Sequence, residues 1–284
     1  MKGKYLVKLA YENGLAIPAF NVESFDVLRG LFLGAVKSNA PLIIQTTEPA
    51  VMTLGVEDIV YITKFMERKY HIPVALQLDH ATNVELIDKC INFGYSSVMY
   101  DGSDVSLEEN IRNTKRIVKY AHENDVFVEA EVGVVGRGGN GDRMTTCDDV
   151  IKFCAKVEID SIAISIGNTH GEKNKKNRID FELLEQINHI CNVPLVLHGS
   201  SGVIDEDLKR VSEYGIAKVN IETELRIIYK KLLDEYMVNH TEFIKIREMN
   251  NYIQSGIAKY VVKKHKILKL NDKILYFIDG EKMK

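Results

Sequence analysis

Three of the eight histidines in this 284-residue chain stand just after short apolar, β-branched runs. His80 closes PVALQLDHA, His170 follows SIAISIG, and His198 follows the apolar stretch of PLVLHGSSG. The other five, His71, His122, His189, His240 and His265, fall in helical or connecting stretches. Three imidazoles that converge and leave a fourth position open make a catalytic divalent site, with zinc the first choice. Nickel, cobalt and ferrous iron also accept imidazole. Asp79 adjoins His80. A carboxylate beside a cation suits a general base, or else it orients a ligand histidine. Consecutive strand side chains point to opposite faces, so the pair shares one pocket only if the strand end turns. Glu131 is an alternate ligand or a partner of one. Glu129, two positions away, shares its face, so one of the two carboxylates is structural.

Two further loops favour an anion. Gly199, Ser201 and Gly202 allow close backbone approach, and the Ser200 and Ser201 hydroxyls donate. Asn220, Thr223 and the helix start that follows add donors and the positive end of a helix dipole.

The elements that must carry these residues recur along the chain. Apolar runs begin at 16, 41, 73, 96, 126, 161, 194 and 217. Most are apolar on both faces, as parallel strands covered on both sides require. Pro18, Pro41, Pro73 and Pro194 lie at or near run starts, where a missing N–H is tolerated. Helical spacing fills the gaps at 25–38, 56–69, 84–93, 105–123, 147–157, 180–190 and 204–214, with Ser106 and Glu109 forming a capping box and Asp205 a further cap. Eight β–α units predict a (β/α)8 TIM barrel, with a doubly wound open sheet as the runner-up. In a barrel, catalytic groups gather at the C-terminal strand ends, and a phosphate site after strands 7 and 8 recurs. Residues 224–238 read as the eighth helix and 242–264 as another. KILKLNDKILYFIDG (266–280) alternates around Asn271-Asp272 and predicts a terminal hairpin. The whole chain, 1–284, reads as one barrel unit with 240–284 as a C-terminal extension.

Composition sets the outer bounds. Lys and Arg number 37 against 40 Asp and Glu, a net charge of −3 that provides no general basic field for nucleic acid or an anionic membrane. Cys90, Cys147, Cys154 and Cys191 show no CxxC spacing and no disulfide framework, and read as inert thiols of a reducing compartment. MKGKYLVKLAYENG has no long apolar core, so no signal peptide is expected, and no run approaches the ~20 residues of a membrane span. The expected location is cytoplasmic.

The residues also carry a resemblance. PAFNVES (18–24), PLIIQTTE (41–48), LQLDHA (76–81), SSVMYDGS (96–103), EAEVG (129–133), IGNTHG (166–171), LVLHGSSG (195–202) and KVNIETELR (218–226) follow in order. In this the chain resembles the class II, metal-dependent ketose-bisphosphate aldolases, and is similar to the shorter branch with tagatose- and bacterial fructose-bisphosphate enzymes. The resemblance implies metal binding by His80, His170 and His198, with Glu131 near the metal. It makes Asp79 the group that handles the C4 hydroxyl proton. It assigns dihydroxyacetone phosphate to Gly171, Gly199, Ser201, Asn220 and Thr223, with Ser200, Ile221 and Glu222 in the same loops. Thr47 and Arg226 match positions that hold the second phosphate, and Asn21 lies in the first-strand pocket. It also implies Zn2+, in some relatives a monovalent cation, and a homodimer or homotetramer acting on a phosphorylated ketose. Fructose 1,6-bisphosphate is the expected substrate; tagatose 1,6-bisphosphate or another ketose phosphate is the alternative. The chain departs from the family pattern at 133–144, where GVVGRGGNGDRM holds no glutamate and Asp142 is the available acid, and at Glu172-Lys173. That departure keeps a non-catalytic sugar-phosphate-binding subunit among the alternatives. The lysines and arginine of 173–178 read as a solvated charge run that could steer phosphates.

Overall fold

The structure, a computed structural model, describes residues 5–135, 143–170 and 177–278. After α1 (Leu6–Glu12), the chain alternates strands and helices. These run β1 (Ile17–Asn21), α2 (Phe25–Ser38), β2 (Leu42–Thr47), α3 (Glu48–Leu54), α4 (Val56–Tyr70), β3 (Val74–Ala81) and α5 (Val84–Phe93). They continue with β4 (Ser97–Tyr100), α6 (Leu107–Glu123), β5 (Phe127–Val132), α7 (Cys147–Cys154), β6 (Ser161–Ile164), α8 (Phe181–Ile190) and β7 (Leu195–Leu197). Next come α9 (Asp205–Leu208), a 3-10 turn (Val211–Tyr214), β8 (Ile216–Ile221), α10 (Thr223–Asn239), α11 (Ile246–Ile267) and α12 (Leu275–Ile278). All eight strands pair in parallel and in chain order, and β1 pairs with β8, so the sheet closes into a (β/α)8 TIM barrel. The open-sheet alternative is excluded. Ser106 accepts from the Glu109 amide and starts α6 as expected. Asp205 does not cap: Ile204 holds the cap position of α9 and Asp205 is its first residue.

The barrel bore changes character along its axis. At the N-terminal end, Ile17, Ala19, Ile43, Ala75, Phe127 and Ala217 pack with Leu6, Val7 and Ala10 of α1 and with Leu270 and Phe277. These short terminal elements plug the floor. Above that layer, β2 and β3 place Gln45 and Gln77 in register, and β8 adds Lys218, all three buried. Polar residues inside otherwise apolar runs are thus bore positions, one layer below the rim.

The expected terminal hairpin is not formed. α11 continues through Ile267, the chain turns through left-handed Lys269 and Asp272, and α12 follows. The apolar residues there, Leu268, Leu270, Ile274 and Phe277, are buried, so their spacing reflects packing at a turn. A closed barrel offers no free edge for a further hairpin. α11 lies against α2 at close range: a Cβ on Gly30 would stand 2.9 Å from the Ile257 Cβ, and one on Gly34 would stand 2.5 Å from that of Val261. Asp26 of α2 accepts from Asn250 at 3.0 Å and Gln254 at 2.7 Å. The four cysteines are free thiols, and burial pushes Cys90 up to about 12. No helix among the described residues is long and apolar enough to cross a membrane.

Candidate active site and metal centre

Asp79 and His80 reach the same pocket through an irregularity in β3. Leu78 pairs with Val98 and Ala81 with Tyr100, so three steps of β3 oppose two of β4. The extra residue is a bulge, and His80 sits in it with φ 49°. A left-handed, non-glycine residue costs of order 1–3 kcal/mol and persists only where its surroundings hold it. The strict alternation that would send one of the pair outward is thereby broken.

The β6 and β7 ends are braced together. Asn168 donates from Nδ2 to the His198 carbonyl at 2.8 Å, and its Oδ1 accepts from the Ile166 amide at 2.7 Å. Gly199 has φ 53°, and a Cβ there would meet the Thr169 carbonyl carbon at 2.8 Å, so the loop must carry glycine.

These ends bring three imidazoles together. Ring centroids stand 4.7 Å apart for His80–His198, 5.4 Å for His80–His170 and 6.1 Å for His170–His198. One ring nitrogen from each falls within 4.8 Å of the others, as do ligand atoms of His80, Asp101 and Glu131. Asp101 Oδ2 lies 2.7 Å from His80 Nδ1, and Glu129 Oε1 lies 2.9 Å from His198 Nε2. An ionised carboxylate only accepts, so those two nitrogens carry the protons. The remaining acceptor nitrogens, His80 Nε2 and His198 Nδ1, then face each other at 3.0 Å. Glu131 stands beside them: its Oε2 lies 3.8 Å from His80 and 3.7 Å from His198, and is buried with no hydrogen-bond partner. Two facing lone pairs and an orphaned carboxylate oxygen fit a divalent cation.

The surrounding carboxylates draw positive charge to this position, either a cation or, on the free His80 ring, a second proton. Burial alone would lower the His80 pKa, but the charge of Asp79, the bond to Asp101 and the charge of Glu131 push it up to about 10. Burial would raise Asp101, yet the bond and charge of His80 hold it well below the usual carboxylate range. Burial raises Glu131 despite the nearby imidazoles. Burial would likewise raise Glu129, but the Lys218 ammonium and the His198 bond bring it down to about 2. Lys218 Nζ lies 2.8 Å from Glu129 Oε2 and 2.8 Å from Gln77 Oε1. Of the two carboxylates on this face of β5, Glu131 thus faces the cation position and Glu129 fixes the His198 tautomer.

Asp79 is 2% exposed and accepts from three side-chain amides: Asn21 at 2.9 Å, Gln45 at 2.9 Å and Asn220 at 3.3 Å. Asn21, Asp79, His80, His170, Gly199, Ser200, Ser201, Asn220, Glu222 and Thr223 line one pocket. Ser200 Oγ donates to the Asn220 carbonyl at 2.5 Å and ties the last two strand ends together. Thr223 is the first residue of α10, so the dipole end of a 17-residue helix opens here. The Ile221 side chain is buried in the core, leaving its backbone to the site. Thr47 pairs in register with Asp79 but does not line the pocket. Arg226 lies at the mouth, 3.3 Å from Glu222 and 3.7 Å from Glu23. Burial raises the Glu222 pKa, opposed by Arg226 and reinforced by Asp79. Gly171, Asp142, Glu172 and Lys173 lie outside the described residues.

Residue types alone left Asp101, Gln45, Gln77 and Lys218 without a role. Their signal was available: each is a polar residue in or ending an apolar run.

Fold and rim together define a (β/α)8 barrel with a candidate divalent-metal centre at its C-terminal strand ends. The chain belongs to the class II fructose-bisphosphate aldolase family, whose model matches residues 1–273. A fructose-bisphosphate aldolase of Ureaplasma parvum serovar 3 is 38% identical over 253 residues, 86% of each chain. The crystal structure of the YdjI aldolase from Escherichia coli K12 superposes with a TM-score of 0.85 at 30% identity, covering 95% of this chain and 98% of that one. The fructose-bisphosphate aldolase of Campylobacter jejuni shares the fold, with a TM-score of 0.84 at 24% identity over 96% of both chains. The family is metal-dependent and acts on phosphorylated sugars.

Proposed function

We propose that this chain cleaves fructose 1,6-bisphosphate reversibly into dihydroxyacetone phosphate and glyceraldehyde 3-phosphate, with zinc held by His80, His170 and His198 and with Glu131 as a neighbouring or alternate ligand. The observation that carries the reading is the facing pair His80 Nε2 and His198 Nδ1, with the orphaned Glu131 oxygen beside them. Zinc, when bound, supplies Lewis-acid polarisation of the ketose carbonyl and so stabilises the charge that develops as the carbon–carbon bond breaks. Asp79 takes the C4 hydroxyl proton. Asn21, Gln45 and Asn220 aim its carboxylate through their amide N–H groups. One phosphate lies between Gly199, Ser200 and Ser201 on one side and Asn220, Ile221 and Thr223 on the other, where backbone amides and the α10 dipole favour an anion, and the family resemblance adds Gly171 to its ligands. Arg226, oriented by Glu222, takes the second phosphate together with Thr47.

The packing of α11 on α2 supports treating residues 1–284 as one unit with 240–284 as an extension. A homodimer or homotetramer, a cytoplasmic location and an auxiliary monovalent cation complete the reading. The test is an assay of metal-stripped protein, with and without added zinc, on fructose and tagatose 1,6-bisphosphates, coupled to triose phosphate detection. Zinc-dependent cleavage that prefers the fructose ester is expected, and His198→Ala should hold no zinc. A preference for the tagatose ester overturns the substrate, and sugar-phosphate binding without turnover overturns the reaction.

A further inference from the structure

We infer that Glu48, the first residue of α3, is a positioning residue for the metal centre: it clamps the chain just past His80 and holds the β3 bulge in place. The inference rests on the reading of His80 as a metal ligand. Glu48 Oε1 accepts two consecutive backbone amides, that of Thr82 at 2.7 Å and that of Asn83 at 2.8 Å. Those amides lie two and three residues after His80, whose left-handed backbone forms the bulge. A short bond from a carboxylate to an amide N–H is of the strong, charge-assisted kind, and here one oxygen takes two.

The β3 ladder holds His80 from both sides, through Leu78 paired with Val98 before it and Ala81 paired with Tyr100 after it. Asp101 fixes its ring. On the C-terminal side, the described contacts that tie residues 82–83 to the neighbouring β2–α3 corner are these two bonds. Asn83 passes the restraint on, because its Oδ1 accepts from the Leu86 amide and caps α5. Glu48 is itself anchored, since Ala50, Val51 and Leu54 of α3 are buried in the core. With the clamp removed, the C-terminal side of the bulge rests on the Ala81–Tyr100 pair, and loosening there lets the His80 side chain turn from the pocket. Glu48 lies outside the pocket lining, so it acts through the chain it holds and not by touching substrate.

The experiment measures zinc affinity by chelator competition, the visible spectrum of the cobalt-substituted protein, and kcat and KM on fructose 1,6-bisphosphate. Wild type is compared with Glu48→Ala, Glu48→Gln, Glu48→Asp and, as a ligand control, His198→Ala. Partners that orient a metal ligand typically contribute 10–100-fold in metal affinity, so Glu48→Ala should bind zinc about tenfold or more weakly. Its cobalt spectrum should shift, and kcat should fall with KM little changed. Glu48→Gln keeps an acceptor oxygen at the same reach but not its charge and should restore both in part, whereas Glu48→Asp is one methylene short and should behave as Glu48→Ala. Zinc affinity and cobalt spectrum of Glu48→Ala within about twofold of wild type overturn the inference. So does the reverse order, with Asp rescuing and Gln failing. A wild type that binds no zinc overturns the metal reading itself and this inference with it, which the His198→Ala control separates from a failure of the clamp alone.

Discussion

The two ends of one barrel bore are built from opposite materials. At the floor, Ile17, Ile43, Ala75, Phe127 and Ala217 meet α1 and Phe277 and bury hydrocarbon against hydrocarbon. At the rim and in the layer just below it, less than the length of a strand away, Asp79, Glu129, Glu131, Lys218 and His198 are equally buried and all can ionise. Burial of a charge is costly unless it is paired, and each rim group is paired except the Glu131 oxygen that faces the histidines. The difference shows how the fold separates tasks: the floor supplies stability without chemistry, and the rim holds charge in place at the expense of stability.

The sharpest way to break this comparison is at Asp79. Asp79→Asn keeps size and burial but removes the proton acceptor. General-base loss is worth roughly 10²–10⁴ in rate, so kcat should fall about a thousandfold while the melting temperature stays near wild type. A large loss of stability would mean that Asp79 also serves the fold. At the floor the outcome should invert. Phe127→Ala empties space beside α1, and large-to-small changes of this kind cost about 3–5 kcal/mol. Denaturant unfolding should show that loss, with kcat of the folded protein unchanged; a comparable fall in kcat would show that the two ends are coupled.

A smaller effect comes from His265 in α11, whose backbone carbonyl accepts from the Leu270 amide at the floor. It is fully buried with both ring nitrogens unpartnered, and burial lowers its pKa from 6.5 to about 3. Between those values the unfolded chain binds the extra proton, so stability falls as pH drops from 6.5 toward 3. The contribution is about 1.4 kcal/mol per pH unit. His265→Leu should remove that slope and raise stability at acid pH, as urea unfolding at pH ~7 and ~4.5 would read. Parallel acid losses in the two proteins would assign the acid sensitivity to the charged rim instead.

Much of this was legible in the residues. The eight runs and their prolines predicted the barrel, because a strand covered on both faces must be apolar on both. The terminal alternation misled, since a buried turn and a two-sided strand produce similar spacing. At the site, His80, His170, His198 and Asp79 stood out by type and by position at run ends. Asp101 and Lys218 did not, because their partners lie 21 residues away at His80 and 89 residues away at Glu129.

The sequence by itself determined the fold class, the three imidazoles and the carboxylate beside them, because strand periodicity and residue type are local properties. Only the tertiary structure decided that Asp79 and His80 share a face, which ring nitrogen of His80 and His198 is left as an acceptor, and that Glu131 rather than Glu129 faces the cation position. Those are matters of register and of distance between strands far apart in the chain. They are set where the barrel closes: one extra residue in β3 turns a side chain inward, and a carboxylate on a neighbouring strand fixes the proton on a ring.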